Sequence, residues 1–396
     1  MMITIDDLPV EVLHLIFMKL PWVEDFISVS KVCLLWEDVA NQRMAWVKYL
    51  IGVYDYSGEP QSVSNDILYY RQGVMASYAL KYLVPYLPNL KILEVIDPYK
   101  MDPETLGTIA KDNSNIIGIR YDRRIPGQID DCLGGIEMIS TNCIAEAMAP
   151  LCSNLKQLYI RYSNERTLAI VSQHEKLERL HIHDFVGENF LQHAVQPFYN
   201  LIILELGFKR LDYKSICDLD RVIRMCCKLE SLYLRFEDLD RFELDDEMDN
   251  TSNLNLRNVV LQYTDNHWPE DAVFPLIYRF VNCEQLAIRD NMGLHDNNVI
   301  DLISELPNLE LLDVRGCLHI TQQSVDSVKR LSRFFNREIK FLWGEHVYEK
   351  LDQYRDLRVA IGFNFNYNLF NRRFEQLPHF LDRNQSNIRL SPELSD

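Results

Sequence analysis

One spacing constrains this chain more than any other: L-x-x-L-x-L, with apolar variants, recurs from residue 90 onward. Clear copies start at Leu90, Ile116, Leu155, Leu177, Leu201, Leu229, Leu256, Cys283 and Leu309, and a weaker one, Leu133-x-x-Ile136-x-Met138, fills the gap after the second. Successive starts lie 26, 17, 22, 22, 24, 28, 27, 27 and 26 residues apart. A unit of this size cannot bury its apolar face alone, so stacked neighbours must share one continuous core. The last apolar pair of each copy is two residues apart, which puts both side chains on one face of a strand. The intervening segments, such as Val299, Leu302, Ile303 and Leu306, or Val325 to Leu331, carry helical spacing. Strands that return through helices coil right-handedly, and stacking bends them into a horseshoe with the strands on its concave side.

Strand residues beside the core-facing pair point outward, and a partner should be read there. Six positions after the first apolar residue, successive copies place Ile96, Asp122, Ile139, Arg161, His183, Gly207, Arg235, Gln262, Arg289 and Arg315; four positions after it come Tyr159, His181, Tyr233 and Asp313. In a chain of formal charge −17 this is a local reversal of sign. The expected target-binding residues are therefore Tyr159, Arg161, Tyr233, Arg235, Arg289 and Arg315, facing an acidic or phosphorylated segment that guanidinium groups would bind bidentately. The competing reading pairs these arginines with Glu205, Asp313 and loop acids. His181 and His183 face the same way, yet no third ligand is evident, so no metal is expected. Eight acids and one arginine between Glu237 and Asp249 read as a solvated outer loop.

The balance of 41 basic against 58 acidic residues argues against a nucleic-acid partner. Nine cysteines without a C-x-x-C pair suggest reduced thiols, hence a cytoplasmic or nuclear setting. No signal-like N-terminus and no run of eighteen apolar residues occurs, so neither export nor a membrane span is expected. Phosphate-loop, nucleophile-elbow, zinc-protease and dinucleotide motifs are absent; the expectation is a non-catalytic binding protein without a cofactor.

The N-terminus carries a different signal. Leu8-Pro9-Val10-Glu11 leads into Leu13, Ile16, Phe17 and Leu20, and Val32-Cys33-Leu34-Leu35-Trp36 follows. Asp6 and Asp7 are expected to cap a first amphipathic helix with Pro9 in its first turn. A second helix is expected from Val23 to about Ser30, and a third carries Trp36 towards Ala40. A segment this short buries too little surface to stand alone and must dock on something. The order Leu-Pro-x-Glu, apolar helix, Val-Cys-x-x-Trp resembles the F-box over roughly Ile5 to Arg43; a plain helical cap is the alternative. The resemblance implies a Skp-family adaptor and, through it, a cullin. Leu8, Pro9, Val12, Leu13, Ile16, Phe17, Leu20, Val32, Cys33 and Trp36 would divide between the module's own core and that interface. Leu309 to Thr321 likewise looks like the cysteine-type leucine-rich repeat of F-box proteins, with Cys317 at the turn after the strand and Thr321 opening the outer helix.

The expected architecture is thus α/β: a three-helix F-box at 1–50, a helical linker and cap at 51–88, about ten leucine-rich repeats at 89–343, and a C-terminal cap and tail at 344–396. Ile67 to Tyr86 is expected to be helical. Leu357, Val359, Ile361, Phe363, Phe365, Tyr367 and Leu369 alternate as in a capping strand, and Asn371 to Asp396 either extends that cap or folds over the concave face. The resemblance implies a substrate-recognition subunit of a Skp–cullin–F-box ubiquitin ligase. The alternative is an F-box scaffold that assembles a complex without ubiquitinating its bound partner.

Overall fold

The computed structural model describes residues 8–53, 65–71, 79–95, 103–121, 133–143, 152–163, 166–185, 195–208, 213–236, 254–263 and 274–344. The acidic run from Glu237 to Asp249 and everything after Gly344 lie outside them. The described residues form two compact units, one ending at Gln157 and the other beginning at Leu158.

The first unit opens with three helices, α1 (Val10–Phe17), α2 (Val23–Val29) and α3 (Leu34–Met44). Helix α1 differs from its expected start. Pro9 itself is the cap residue, its carbonyl accepting from Val12 and Leu13, and no side chain caps the helix; Asp6 and Asp7 lie outside the described residues. Leu13 and Phe17, one turn apart, are the buried pair of α1. Phe17 meets the edges of Phe26 and Trp36 at ring-centroid distances of 6.4 and 5.4 Å, so the small core draws one aromatic from each helix.

Directly after α3 come β1 (Tyr49–Val53) and β2 (Ile67–Arg71), then α4 (Leu80–Leu83), β3 (Ile92–Val95), α5 (Pro103–Asp112), β4 (Gly118–Tyr121) and β5 (Met138–Thr141). They pair in the order β2-β1-β3-β4-β5, all parallel. Ile67 to Arg71 is therefore a strand, where periodicity suggested a helix. Ile67, Leu68, Tyr69 and Tyr70 are all buried, and a short apolar run buried on both faces favours the parallel strand. The strand array begins at Tyr49, well before the first L-x-x-L-x-L copy.

Hydrogen bonds tie the helices of this unit to β2 and the turn before it. The Tyr69 N–H donates to the Pro21 carbonyl at 2.8 Å, and the Arg71 N–H to Glu24 Oε1 at 2.9 Å. The Arg71 guanidinium lies 4.0 Å from the centre of the Trp22 ring. Buried Arg43, on α3, donates to the carbonyls of Asn65 and Ile67 at 2.5 and 3.3 Å.

In the second unit the order follows the sequence: β6 (Gln157–Tyr162), β7 (Arg179–Phe185), β8 (Ile203–Phe208), β9 (Ser231–Phe236), β10 (Asn258–Tyr263), β11 (Gln285–Arg289), β12 (Leu311–Asp313) and β13 (Lys340–Leu342). From β7 to β13 each strand pairs with the next in parallel. Return segments include helices at Thr167–Val171, Tyr213–Met225, Phe274–Ile277, Asp296–Glu305 and Gln322–Phe334. The three apolar positions of the repeat fill the core: Leu177, Leu180 and Ile182, and likewise Leu309, Leu312 and Val314, are buried. The faint copy holds too, with Leu133, Ile136 and Met138 each 1% exposed.

A second device recurs at the residue before seven of the ten first apolar positions. Asn89, Asn115, Asn154, Asn200, Asn255, Asn282 and Asn308 each donate through Nδ2 to a carbonyl one repeat earlier, of Ala45, Pro88, Gly134, Glu175, Cys227, Leu254 and Val281 respectively. Each bond satisfies a turn carbonyl that no strand reaches, and so locks consecutive turns in register. Lys228, in the same position before Leu229, donates to Asn200 Oδ1 at 2.7 Å. The last two helices are tied at their starts as well. Thr321 accepts at its side chain from the Gln323 N–H, as a cap should, and its own N–H and hydroxyl donate to Asp296 at 2.9 and 2.7 Å. Cys317 is buried, its thiol donating to the Ile288 carbonyl at 3.3 Å, and burial pushes its pKa up to about 12. That is a packing cysteine.

Candidate functional site

Two sets of side chains bear on function, one in each unit. The first lies on α1–α3. Leu13, Phe17 and Trp36 are buried in the module's core; Leu8, Val12 and Leu20 are half-buried; Pro9, Ile16, Val32 and Cys33 are exposed. Only some of the ten expected adaptor-facing residues can therefore meet a partner without unfolding the module. The sequence reading missed others. Leu34 is 79% exposed and Leu15 63%, with Val10, Ile27 and Leu35 also exposed, beside Val32 at 56%. Apolar side chains this dense on so short a stretch leave much transfer free energy unspent. The signal was present: Leu15 and Leu34 belong to the motif segments, but lie off the i, i+4 line of Leu13 and Phe17.

The second set is the outward row of the second unit's strands. Backbone register brings His181 beside Glu205, Glu205 beside Tyr233, and Val260 beside Ala287 and then Asp313. Two buried carboxylates organise it. Glu205 receives a bidentate pair from Arg179 at 2.8 and 2.7 Å, and His181 Nδ1 lies 3.3 Å away. Burial alone would push the Glu205 pKa up, but Arg179 and then His181 hold it down at about 2. Burial lowers the pKa of His181 against the opposing pull of Glu205. The His181 ring packs on Tyr159 at 4.7 Å. His183 lies 2.8 Å from Asp184, and burial brings its pKa down to about 4 despite that carboxylate.

Asp313 is the second clamp. Arg289 Nε and Arg315 Nη2 donate to Oδ2 at 2.9 and 2.8 Å, and Arg315 Nε donates to Oδ1 at 2.9 Å. Burial opposes ionisation, yet the two guanidinium groups keep this carboxyl at about 2. Arg289 and Arg315 are thus engaged with Asp313, the pairing that the sequence left open. Arg161 is exposed, 5.2 Å from the Tyr162 ring, and has no ion pair among the described residues. Tyr159 and Arg235 are half-buried and Tyr233 is buried. Arg179 was not anticipated; the signal was its place two residues before His181, across from Glu205. Among the described residues no group of three His, Cys, Asp or Glu side chains is arranged to hold a metal.

A three-helix module bearing exposed apolar side chains, followed by parallel strands on a leucine-rich frame, defines an F-box-like domain joined to an α/β leucine-rich-repeat fold. Residues 5–51 match the F-box-like family model. Among solved structures, the chain is similar to an internalin from Listeria monocytogenes, with 11% identity, 87% of this chain and 93% of that one covered, and a TM-score of 0.37. It is also similar to the yeast complex of Rad7 and Elc1, at 16% identity, coverage of 64% and 74% and a TM-score of 0.30. For a leucine-rich-repeat protein of Leptospira interrogans the values are 12%, 77%, 92% and 0.25. No curated protein matches the chain. Among the described residues, no helix is long and apolar enough to cross a membrane.

Proposed function

We propose that this protein is the substrate-recognition subunit of a Skp–cullin–F-box ubiquitin ligase. The observation that carries the reading is the division on α1–α3: Leu13, Phe17 and Trp36 close the module's core, while Leu15, Val32 and Leu34 remain exposed. A helical cap would have turned those side chains against the strands it covers. A Skp-family adaptor would cover them, and a cullin would be reached through the adaptor. The strand face of the second unit would hold the target, with Tyr159 and Arg161 on β6 and Arg235 on β9 suiting an acidic or phosphorylated segment. Ubiquitin transfer then needs no catalytic residue here, because holding a target lysine near a charged conjugating enzyme raises its effective concentration.

The test is co-purification with a Skp-family adaptor. The wild type should capture it, and a Val32→Asp, Leu34→Asp variant with an unchanged circular dichroism spectrum should not. Equal capture by both would sink the adaptor reading; capture with no modification of any bound target in a reconstituted ligase would favour the scaffold.

A further inference from the structure

The start of the strand array carries bare aromatic rings: Trp46 is 64% exposed, Tyr82 65% and Tyr86 60%. Backbone register brings them onto neighbouring turns. Tyr49 pairs with Ile92, so Trp46 occupies in the first copy the place that Asn89 holds in the next. Asn89 Nδ2 reaches back to the Ala45 carbonyl at 2.7 Å, and the Lys91 N–H donates to the Lys48 carbonyl at 2.8 Å. The turn after Tyr86 thus lies against the turn that carries Trp46. Tyr82 and Tyr86 are four residues apart, about one helical turn, on α4 and the short 3-10 turn Val84–Tyr86 that continues it. Where the ladder asparagines tie one turn to the last, Trp46 has no side-chain hydrogen bond among the described residues. A repeat that breaks its own rule with an exposed tryptophan marks a place for a partner.

The same turns are cationic. Lys48, Lys81 and Lys91 are exposed. Lys81 Nζ lies 5.3 Å from the centre of the Tyr82 ring, and none of the three lysines has an ion pair among the described residues. Residues 45–53 and 79–93 contain no Asp or Glu, in a chain that has 58 of them. The Asp66 carbonyl accepts from the Lys48 N–H, but the charge of that residue bears on Arg43 and Tyr49. At physiological ionic strength charges are screened beyond about 8 Å, so a ligand lying over these turns meets the lysines and not the distant acids of the chain.

We propose that this surface docks an acidic segment of another protein, with apolar side chains of that segment packed on Trp46, Tyr82 and Tyr86 and its carboxylates facing Lys48, Lys81 and Lys91. An anionic lipid surface is the weaker occupant. Helix α3 ends two residues before Trp46 and exposes Glu37 and Asp38, which a flat membrane pressed on these turns would approach and a narrow segment would not.

Fluorescence anisotropy on the full chain tests this, with a labelled peptide pool in which glutamate alternates with leucine, phenylalanine or proline, and a matched pool with glutamine for glutamate. The wild type should bind the glutamate pool at least about tenfold more tightly than the glutamine pool. Trp46→Ala with Tyr86→Ala and, separately, Lys48→Gln with Lys91→Gln should each weaken that binding about tenfold. Circular dichroism and capture of a Skp-family adaptor should be unchanged in both, and Arg161→Ala should bind the pool as wild type does. Equal or absent binding of the two pools, or wild-type binding by both double variants, would overturn the proposal. So would loss of adaptor capture in those variants, which gives the surface to the adaptor, or loss of the pool in Arg161→Ala, which moves it to the strand face. Binding to phosphatidylserine vesicles that the same variants abolish would overturn it too, by making the partner a membrane.

Discussion

Trp36 and Leu34 sit two residues apart in the same motif and should respond oppositely to substitution. Trp36 is 9% exposed and meets the Phe17 ring at 5.4 Å, so Trp36→Ala empties the centre of a three-helix core. Truncating a buried tryptophan to alanine costs about 3–5 kcal/mol. A module this small has little stability to spare, and loss of adaptor binding in that variant would report unfolding. Leu34, at 79% exposure, has most of its side chain in water already. Leu34→Ala should therefore change stability by less than about 0.5 kcal/mol. Complete burial of a leucine is worth about 1.5–3 kcal/mol, and an adaptor covering this side chain would collect most of it. The expected loss in affinity is about tenfold, since 1.4 kcal/mol is one decade in Kd. Urea melts of the whole chain, followed by calorimetric titration of a Skp-family adaptor into each folded variant, separate the two effects. The reasoning fails if Leu34→Ala binds as tightly as wild type, or if Trp36→Ala melts like wild type.

Four further outcomes follow from the strand array. Asp313→Ala should destabilise the chain by about 3–5 kcal/mol, because it leaves buried Arg289 without its counter-charge; a urea midpoint within error of wild type would contradict the clamp. Asn282→Ala removes two turn-to-turn hydrogen bonds, one donated to the Leu254 carbonyl at 2.8 Å and one accepted from Asn308 Nδ2 at 3.0 Å, and should cost about 1–2 kcal/mol in the same assay. Glu205 and Asp313 both have pKa values lowered to about 2, so the folded state holds these protons more weakly than the unfolded chain. Their contribution is complete above the unfolded values of about 4 and is lost as pH falls towards 2, and denaturant midpoints across that window should fall accordingly. In a target pull-down, Arg161→Ala should weaken capture at unchanged stability, whereas Arg289→Ala should lower the urea midpoint first; the reverse pattern would place recognition at the Asp313 clamp.

The periodic features were legible in the sequence because they are set locally. Leu180 and Ile182, or Leu312 and Val314, have to alternate to face one core, and repetition magnifies the signal until even the faint Leu133 copy stands out. What escaped was decided by neighbours. Nothing in Ile67 to Arg71 distinguishes a helix from a strand until Pro21 and Trp22 on one side and β1 on the other claim its backbone. The asparagine ladder was visible as seven asparagines in matching positions, yet its meaning needs carbonyls that lie a full repeat away. On α1–α3 the motif named the right segment without dividing it. Helical periodicity found Leu13 and Phe17, and the same periodicity put Ile16 with them, although Ile16 faces out.

The outward face shows why a count of arginines overstates a basic surface. Glu205 and Asp313 occupy the same position of two different repeats, and each draws neighbouring cations onto itself. An arginine held by a buried carboxylate costs more to redirect than one in water, since release would leave that carboxylate unpaired in a low-dielectric site. A target acid would have to displace an existing bond at Arg289 or Arg315 and would gain only the difference. At Arg161, where the described residues offer no ion pair, it would gain the whole contact. The clamps thus fix the face as a rigid platform and leave discrimination to the few side chains that they do not engage. On that argument a target acid held on this face would gain most at Arg161 on β6 and least at the Asp313 clamp.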